Sequence, residues 1–297
     1  ESRESLKKFA SEGGIVLHLH RDIEETIIFL QSDPTRPAYV EEIRDVWTKR
    51  EKWYNECSNY TFFAPHCSTE SQFQKLRKVF GSFINMVAGK RQITIPTKRS
   101  AFVCLTFEDL TEHIDSLNPI TYGCDAVEVR VDHLAEYDAD YVSRQLSTLR
   151  TATEGLPIIF TVRTKKQGGK FADDDYETLK KLFSLALKSG VEFIDLELTL
   201  PSEIQYSVLN NKGFTKIIGS HHDFDAAYDW NDAEWENRYN QALSLDVDIV
   251  KFVGTATKFE DNLTLERFRH AHTTKPLIAI NMGQVGQVSR VLNTLLT

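Results

Sequence analysis

A chain of 297 residues with a formal net charge of -8 lacks the positive field that phosphate backbones require, so nucleic-acid binding is excluded as its main function. No apolar stretch reaches the ~18 residues of a membrane span, and 41% hydrophobic with 26% charged residues suits a globular protein of one large or two smaller domains. Cys57, Cys67, Cys104 and Cys124 match no zinc or redox spacing and read as reduced thiols of a cytoplasmic protein. The chain opens at Glu1 without a methionine or a signal-peptide pattern, as expected of a segment of a longer polypeptide.

In chain order, residues 15–19 read as a short buried strand, after which Asp22 caps a helix over 23–31. Pro34 and Pro37 bracket a loop at 33–37. Ile43, Val46, Trp47, Arg50 and Tyr54 recur at helical spacing within 40–57, residues 60–63 return as a strand, and 70–87 form a last amphipathic helix. This is half an α/β domain, too small to close a core of its own. The polar stretch at 89–98 marks a boundary, giving a first unit at 1–90, a linker at 91–98 and a second unit at 99–297.

Beyond the boundary, strand-like runs recur at 101–106, 126–132, 157–164, 193–200, 216–224, 248–255 and 276–282. Helical stretches at 140–151, 174–189, 232–245 and 260–271 alternate with them. Such repeats predict a (β/α)8 barrel with seven βα units visible and the eighth missing. Asp248-Ile-Val-Lys251-Phe-Val-Gly254 is the run that carries the most information. A lysine inside a buried β-branched strand must be paired, neutral or drawn out to water, and a neutral amine is a nucleophile.

Strand parity places other charges on the same barrel mouth. Glu128, Arg130 and Asp132 share one face of the second strand, Arg163 ends the third, and Asp195 with Glu197 share a face of the fourth. Ser220 and His222 face together on the fifth, and Met282 ends the seventh ahead of Arg290. Each has a bland reading: Glu128 and Arg130 as a structural ion pair, Asp195 and Glu197 as caps or partners of arginines. Adjacent His221 and His222 point apart on a strand and cannot chelate one ion, so no metal is expected.

The run HRDIEETIIFLQSDPTRPAYVEEIRDVWTKREKWYNECSNYTF resembles the C-terminal part of shikimate kinases. The resemblance implies Arg36 as the arginine of the lid over ATP and Arg50 as the holder of the shikimate carboxylate. No Gly-x-x-x-x-Gly-Lys-[Ser/Thr] cradle exists, so this partial P-loop-kinase-like fragment should transfer no phosphate, and both arginines read as solvated. Glu128-Val-Arg130-Val-Asp132, Phe160-Thr-Val-Arg163, Ser220-His-His222-Asp-Phe224, Val250-Lys251 and Met282-Gly-x-x-Gly-x-x-Ser-Arg290 together resemble the type I 3-dehydroquinate dehydratases. A kinase tail placed before such a barrel is similar to the fungal AROM polypeptides of aromatic amino-acid biosynthesis.

That resemblance implies a cofactor-free lyase of the shikimate pathway acting on 3-dehydroquinate. Lys251 would form a Schiff base with the ring ketone, its pKa depressed by neighbouring cations, and His222 would act as base and then acid. Arg290 would take the carboxylate, Glu128, Arg130, Arg163 and Met282 would line the substrate, and Gln167, Asp195, Glu197 and Ser220 would support them. Neighbouring domains of the same polypeptide and a homodimer are the implied partners. Gln167 stands where bacterial members carry a glutamate that orients the histidine, and the family's Pro-Gly-Gln lid loop does not occur. A non-catalytic barrel kept for binding or scaffolding, and a lysine-dependent aldolase on the same fold, are the alternatives.

Overall fold

The computed structural model describes residues 2–32, 35 and 41–297. Helix α1 (Ser2–Ser11) precedes strand β1 (Leu17–His20), helices α2 (Ile23–Ser32) and α3 (Ile43–Cys57), strand β2 (Tyr60–Phe63) and helix α4 (Glu70–Val87). Asp22 caps α2, its Oδ1 accepting from the N–H groups of Glu24 at 2.9 Å and Glu25 at 3.2 Å. Thr69 and Gln72 form a capping box that starts α4. β1 begins two residues later than the apolar run at 15–19 suggests, because the Val16 N–H is already held by Asn59 Oδ1 at 2.8 Å. Asp33, Pro34 and residues 36–40, with Arg36 among them, lie outside the described residues. β1 and β2 pair in parallel, and Phe62, Val79, Phe83 and Met86 form a small core under them.

The second sheet has seven parallel strands in chain order: β3 (Phe102–Leu105), β4 (Ala126–Arg130), β5 (Ile158–Thr161), β6 (Phe193–Glu197), β7 (Lys216–His222), β8 (Ile249–Thr255) and β9 (Leu277–Met282). Helices α5 (Ile114–Thr121), α6 (Ala139–Ala152), α7 (Tyr176–Lys188), α8 (Ser202–Asn211), α9 (Ala233–Ser244) and α10 (Asp261–Ala271) connect them, and α11 (Val288–Leu292) follows β9. This is barrel winding with seven units, as the repeats predict, and among the described residues the ring stays open between β9 and β3. Across that opening Ser100 donates its N–H to Thr294 O and accepts from the Thr297 N–H, both at 3.0 Å. The short helices α5 and α8 escape the periodicity, since α5 contains Pro119 and α8 starts directly after Pro201.

Alternation along the strands sorts the interior into layers. Ala126, Ile159, Phe193, Ile218, Ile249 and Ile278 form an apolar floor, closed from below by Leu295 and Leu296. Two residues further along come Glu128, Thr161, Asp195, Ser220 and Lys251, a polar layer on a dry base. The opposite faces, including Val127, Val129, Phe160, Leu196, Val250 and Phe252, bury against the helices. The N-terminal unit seats on α6 and α7: Arg144 pairs with Asp22 at 2.7 Å, Ser147 Oγ donates to Phe63 O at 2.7 Å, and Lys188 Nζ donates to Asn55 O at 2.6 Å.

Candidate active site

Lys251 is only 6% exposed, so its ammonium must find partners inside the barrel. β8 delivers it to the polar layer, where Nζ donates to Glu128 Oε1 at 3.1 Å and Asp195 Oδ2 at 3.0 Å. Burial alone would lower its pKa, but the Asp195 and Glu128 carboxylates outweigh burial and hold it above the ordinary lysine value. The resting amine is therefore protonated. This reverses the expectation that neighbouring cations depress it, because sequence spacing does not reveal that the two carboxylates lie closer than the arginines.

Asp195 is shared between two cations, since Arg163 Nη2 also reaches Asp195 Oδ2 at 2.8 Å. Burial favours its neutral form, yet Arg163 and Lys251 together keep it ionised well below the usual carboxylate range. Arg163 Nη1 turns to Glu197 Oε1 at 3.1 Å and Ser220 Oγ at 3.0 Å, and Ser220 donates on to Asp195. Glu197 accepts from the Thr164 N–H at 2.9 Å and from Thr164 Oγ1 at 2.8 Å, although burial still raises its pKa. Thr161 Oγ1 donates to Glu128 Oε1 at 2.7 Å. Thr161 and Thr164 are absent from the sequence-derived site, though the parity of the third strand places Thr161 between Ile159 and Arg163.

Glu128 and Arg130 do not pair with each other. Arg130 instead grips Asp132 bidentately, Nε to Oδ1 and Nη2 to Oδ2, both at 2.8 Å. Asp132 also accepts from the Lys170 N–H at 3.0 Å, which ties the loop after β5 to the end of β4. Asp132 is thus a holder of Arg130, a role its place on the charged face only hinted at.

His222 ends β7 with its ring stacked on Phe224 at 5.6 Å. Burial, with Arg163 and Lys251 nearby, depresses its pKa well below the ordinary value and keeps the imidazole neutral. Gln167 reaches the strand rather than the ring, its Oε1 accepting from the His222 backbone N–H at 2.7 Å. The turn that presents Gln167 needs glycine next door, because Gly168 has φ 77° and a Cβ on Gly169 would stand 2.0 Å from Arg163 O. Arg290 is exposed at the mouth, where its Nη2 lies 3.1 Å from Met282 Sδ. Arg50 is exposed on α3, away from this constellation.

His221 points the other way, into the helix layer, with its ring edge-on to Trp235 at 5.6 Å and both nitrogens unpartnered. Burial lowers its pKa from the ordinary 6.5 to about 4. Between those values the unfolded chain binds a proton that the folded chain refuses, so stability is full above pH 6.5 and falls as pH drops toward 4. At about 1.4 kcal/mol per unit the loss is on the order of 2–3 kcal/mol. Urea midpoints at pH 7, 5.5 and 4.5 should decline accordingly, and His221→Phe should flatten the decline; an unchanged slope in the variant would refute the assignment.

The fold and the site together define an α/β barrel that holds an interior lysine between two carboxylates, with a neutral histidine on the neighbouring strand. The chain belongs to the type I 3-dehydroquinase family, whose model matches residues 101–297; the shikimate kinase model matches residues 1–88. It is 71% identical over 296 residues to the pentafunctional AROM polypeptide of Zygosaccharomyces rouxii, covering 100% of this chain and 19% of that protein. The Kluyveromyces lactis AROM polypeptide is 68% identical over 297 residues, again 100% of this chain and 19% of the relative. The chain therefore spans about a fifth of the length of these curated relatives.

Among solved structures, the dehydroquinate dehydratase and shikimate dehydrogenase from S. pombe AroM superimposes with TM-score 0.65 at 40% identity, covering 68% of this chain and 40% of that one. The 3-dehydroquinate dehydratase from Enterococcus faecalis, at 23% identity and TM-score 0.63, covers 69% of this chain and 90% of its own and shares the fold.

Proposed function

We propose that this chain dehydrates 3-dehydroquinate to 3-dehydroshikimate through an imine on Lys251. The observation that carries the reading is a lysine 6% exposed, bonded to Glu128 and Asp195 in a buried polar layer above an apolar floor, on the strand beside His222. The amine adds to the ring ketone and water leaves, giving an iminium that draws electrons from the adjacent carbon. Neutral His222 takes a proton from that carbon, and the enamine expels the β-hydroxyl, which leaves as water with the proton from His222. Hydrolysis of the conjugated imine frees the product and the lysine. Arg290, with Arg130 and Met282 near the mouth, would receive the substrate carboxylate and ring; Arg163, Glu128, Asp195, Glu197, Ser220 and Gln167 would hold the two reacting side chains.

The test is the rise in ultraviolet absorbance of the conjugated enone on mixing with 3-dehydroquinate, together with borohydride trapping, which should add one reduced ligand mass at Lys251. Absence of both would overturn the proposal in favour of a scaffold barrel. His222→Asn is expected to lower kcat about 10²–10⁴-fold while the imine still traps, because the base acts after the imine forms. Loss of trapping in that variant would place His222 in imine formation instead.

The same reading organises the chain as a kinase-like unit at 1–90, a linker at 91–98 and the dehydratase barrel at 99–297, within a longer cytoplasmic polypeptide whose other domains are its partners. Ile93 and Ile95 of the linker pack against the barrel floor, which supports a fixed rather than trailing kinase unit. A homodimer completes the proposal, and light scattering of the purified chain tests it.

A further inference from the structure

We infer that Asn281 and Ser289 act as positioning residues, a clasp that aims Arg290 across the barrel mouth. The inference rests on the dehydratase reading, in which Arg290 takes the substrate carboxylate. Asn281 lies on the outward face of β9 and is completely buried, where its strand neighbours on that face are Leu277 and Ala279. A buried amide in an apolar layer is costly unless each polar atom is bonded. All of its groups are engaged. Oδ1 accepts from Trp230 Nε1 at 2.7 Å, and Nδ2 donates to Asp261 O and Asn262 Oδ1, each at 3.3 Å. Its backbone N–H donates to Ser289 Oγ at 2.8 Å.

The Asn281 side chain thereby joins the segments that follow β7 and β8, and its backbone N–H holds the segment that follows β9. Asn262, also fully buried, extends the clasp by donating from Nδ2 to Val285 O at 2.9 Å. Ser289 Oγ donates to Gly286 O at 2.6 Å, closing the turn from inside. No side chain could replace the hydrogen of Gly286, because a Cβ there would stand 2.4 Å from Met282 O. The turn is thus pinned on both sides, and α11 starts from a fixed point.

Directional bonds are needed here because apolar burial cannot supply the aim. α11 has five residues, and Ser289 is the only buried one among them. Apolar contact is non-directional, whereas the bond from Asn281 N–H to Ser289 Oγ fixes both distance and angle at the residue preceding Arg290. Arg290 then projects back to Met282, which shares the interior-facing side of β9 with Ile278, the residue in register with Lys251. Held in that way, a guanidinium meets a carboxylate with little loss of conformational freedom on binding.

The experiment compares Ser289→Ala, Arg290→Ala and the double variant, each shown to be folded by near-ultraviolet circular dichroism. Ser289→Ala should raise KM about tenfold, the size expected of a misdirected charge-assisted hydrogen bond, with kcat within about twofold of the parent. Ser289→Thr, which keeps the hydroxyl, should restore KM. In the Arg290→Ala background the serine change should add nothing, since it acts only through the arginine. Calorimetric binding of quinate, which has an alcohol in place of the ketone and forms no imine, should show the same pattern without turnover. Additive effects of the two changes, or a fall in kcat at constant KM, would overturn the clasp. Absence of turnover in the unsubstituted chain with the quinate pattern intact would instead overturn the dehydratase reading alone.

Discussion

Replacing Lys251 with methionine is expected to abolish both enone formation and borohydride trapping, a loss on the order of 10⁴-fold or more in kcat, because no other described amine lies in the polar layer. Methionine matches the stem of lysine in length, so the floor of Ile159, Ile218 and Ile249 beneath it should keep its packing. What changes is charge. Glu128 loses the ammonium that offsets its burial, so its pKa should rise, whereas Asp195 retains Arg163 at 2.8 Å and stays ionised. Infrared spectra followed against pH should therefore show one carboxyl that protonates at higher pH in the variant than in the parent. Turnover or trapping that survives in Lys251→Met would move the nucleophile elsewhere and leave this lysine as a structural ion-pair partner. The raised pKa of Lys251 adds a pH arm to the same experiment. In the parent, imine formation should quicken as pH rises above neutrality and the free-amine fraction grows.

Much of this site was legible in the sequence, and for a definite reason. A strand has a period of two, so Lys251, Glu128, Asp195 and Ser220 could be assigned to one interior face from their spacing alone, and the register puts Ser220 directly opposite Lys251. Which partner each charge chooses was not legible. Parity put Arg130 beside Glu128, but β4 ends at Arg130 and the chain tightens over Val131–His133, which swings the Asp132 carboxylate round to meet the guanidinium. Gln167 shows the same limit. The family resemblance implied that it orients the histidine ring, whereas the tight turn at Gly168 and Gly169 delivers it to the backbone of β7. The clasp left the faintest trace of all, because a lone asparagine in an apolar strand signals a bonded amide without saying to what.

Asp195→Asn should be the most destabilising conservative change in the barrel, lowering the free energy of unfolding by about 3–5 kcal/mol. The carboxylate stands between two fully buried cations, with Oδ2 3.0 Å from Lys251 Nζ and 2.8 Å from Arg163 Nη2. An amide of equal size removes the negative charge and leaves the two cations facing each other across it. Glu128 and Glu197 each keep one of them, but neither bridges both. Asp195 has a depressed pKa in the fold, so its contribution is complete above the ordinary carboxylate value of 3.8 and is lost as pH falls toward the folded value. The gap between parent and variant in urea should consequently be constant from pH 8 to about 5 and narrow below 4. A gap under about 1 kcal/mol at pH 7 would mean that water already screens the pair as it does on a protein surface. That outcome would also remove the dry, charge-balanced layer on which the proposed attack by Lys251 depends, since a lysine in contact with water would be neither held by Asp195 nor steered toward a ketone.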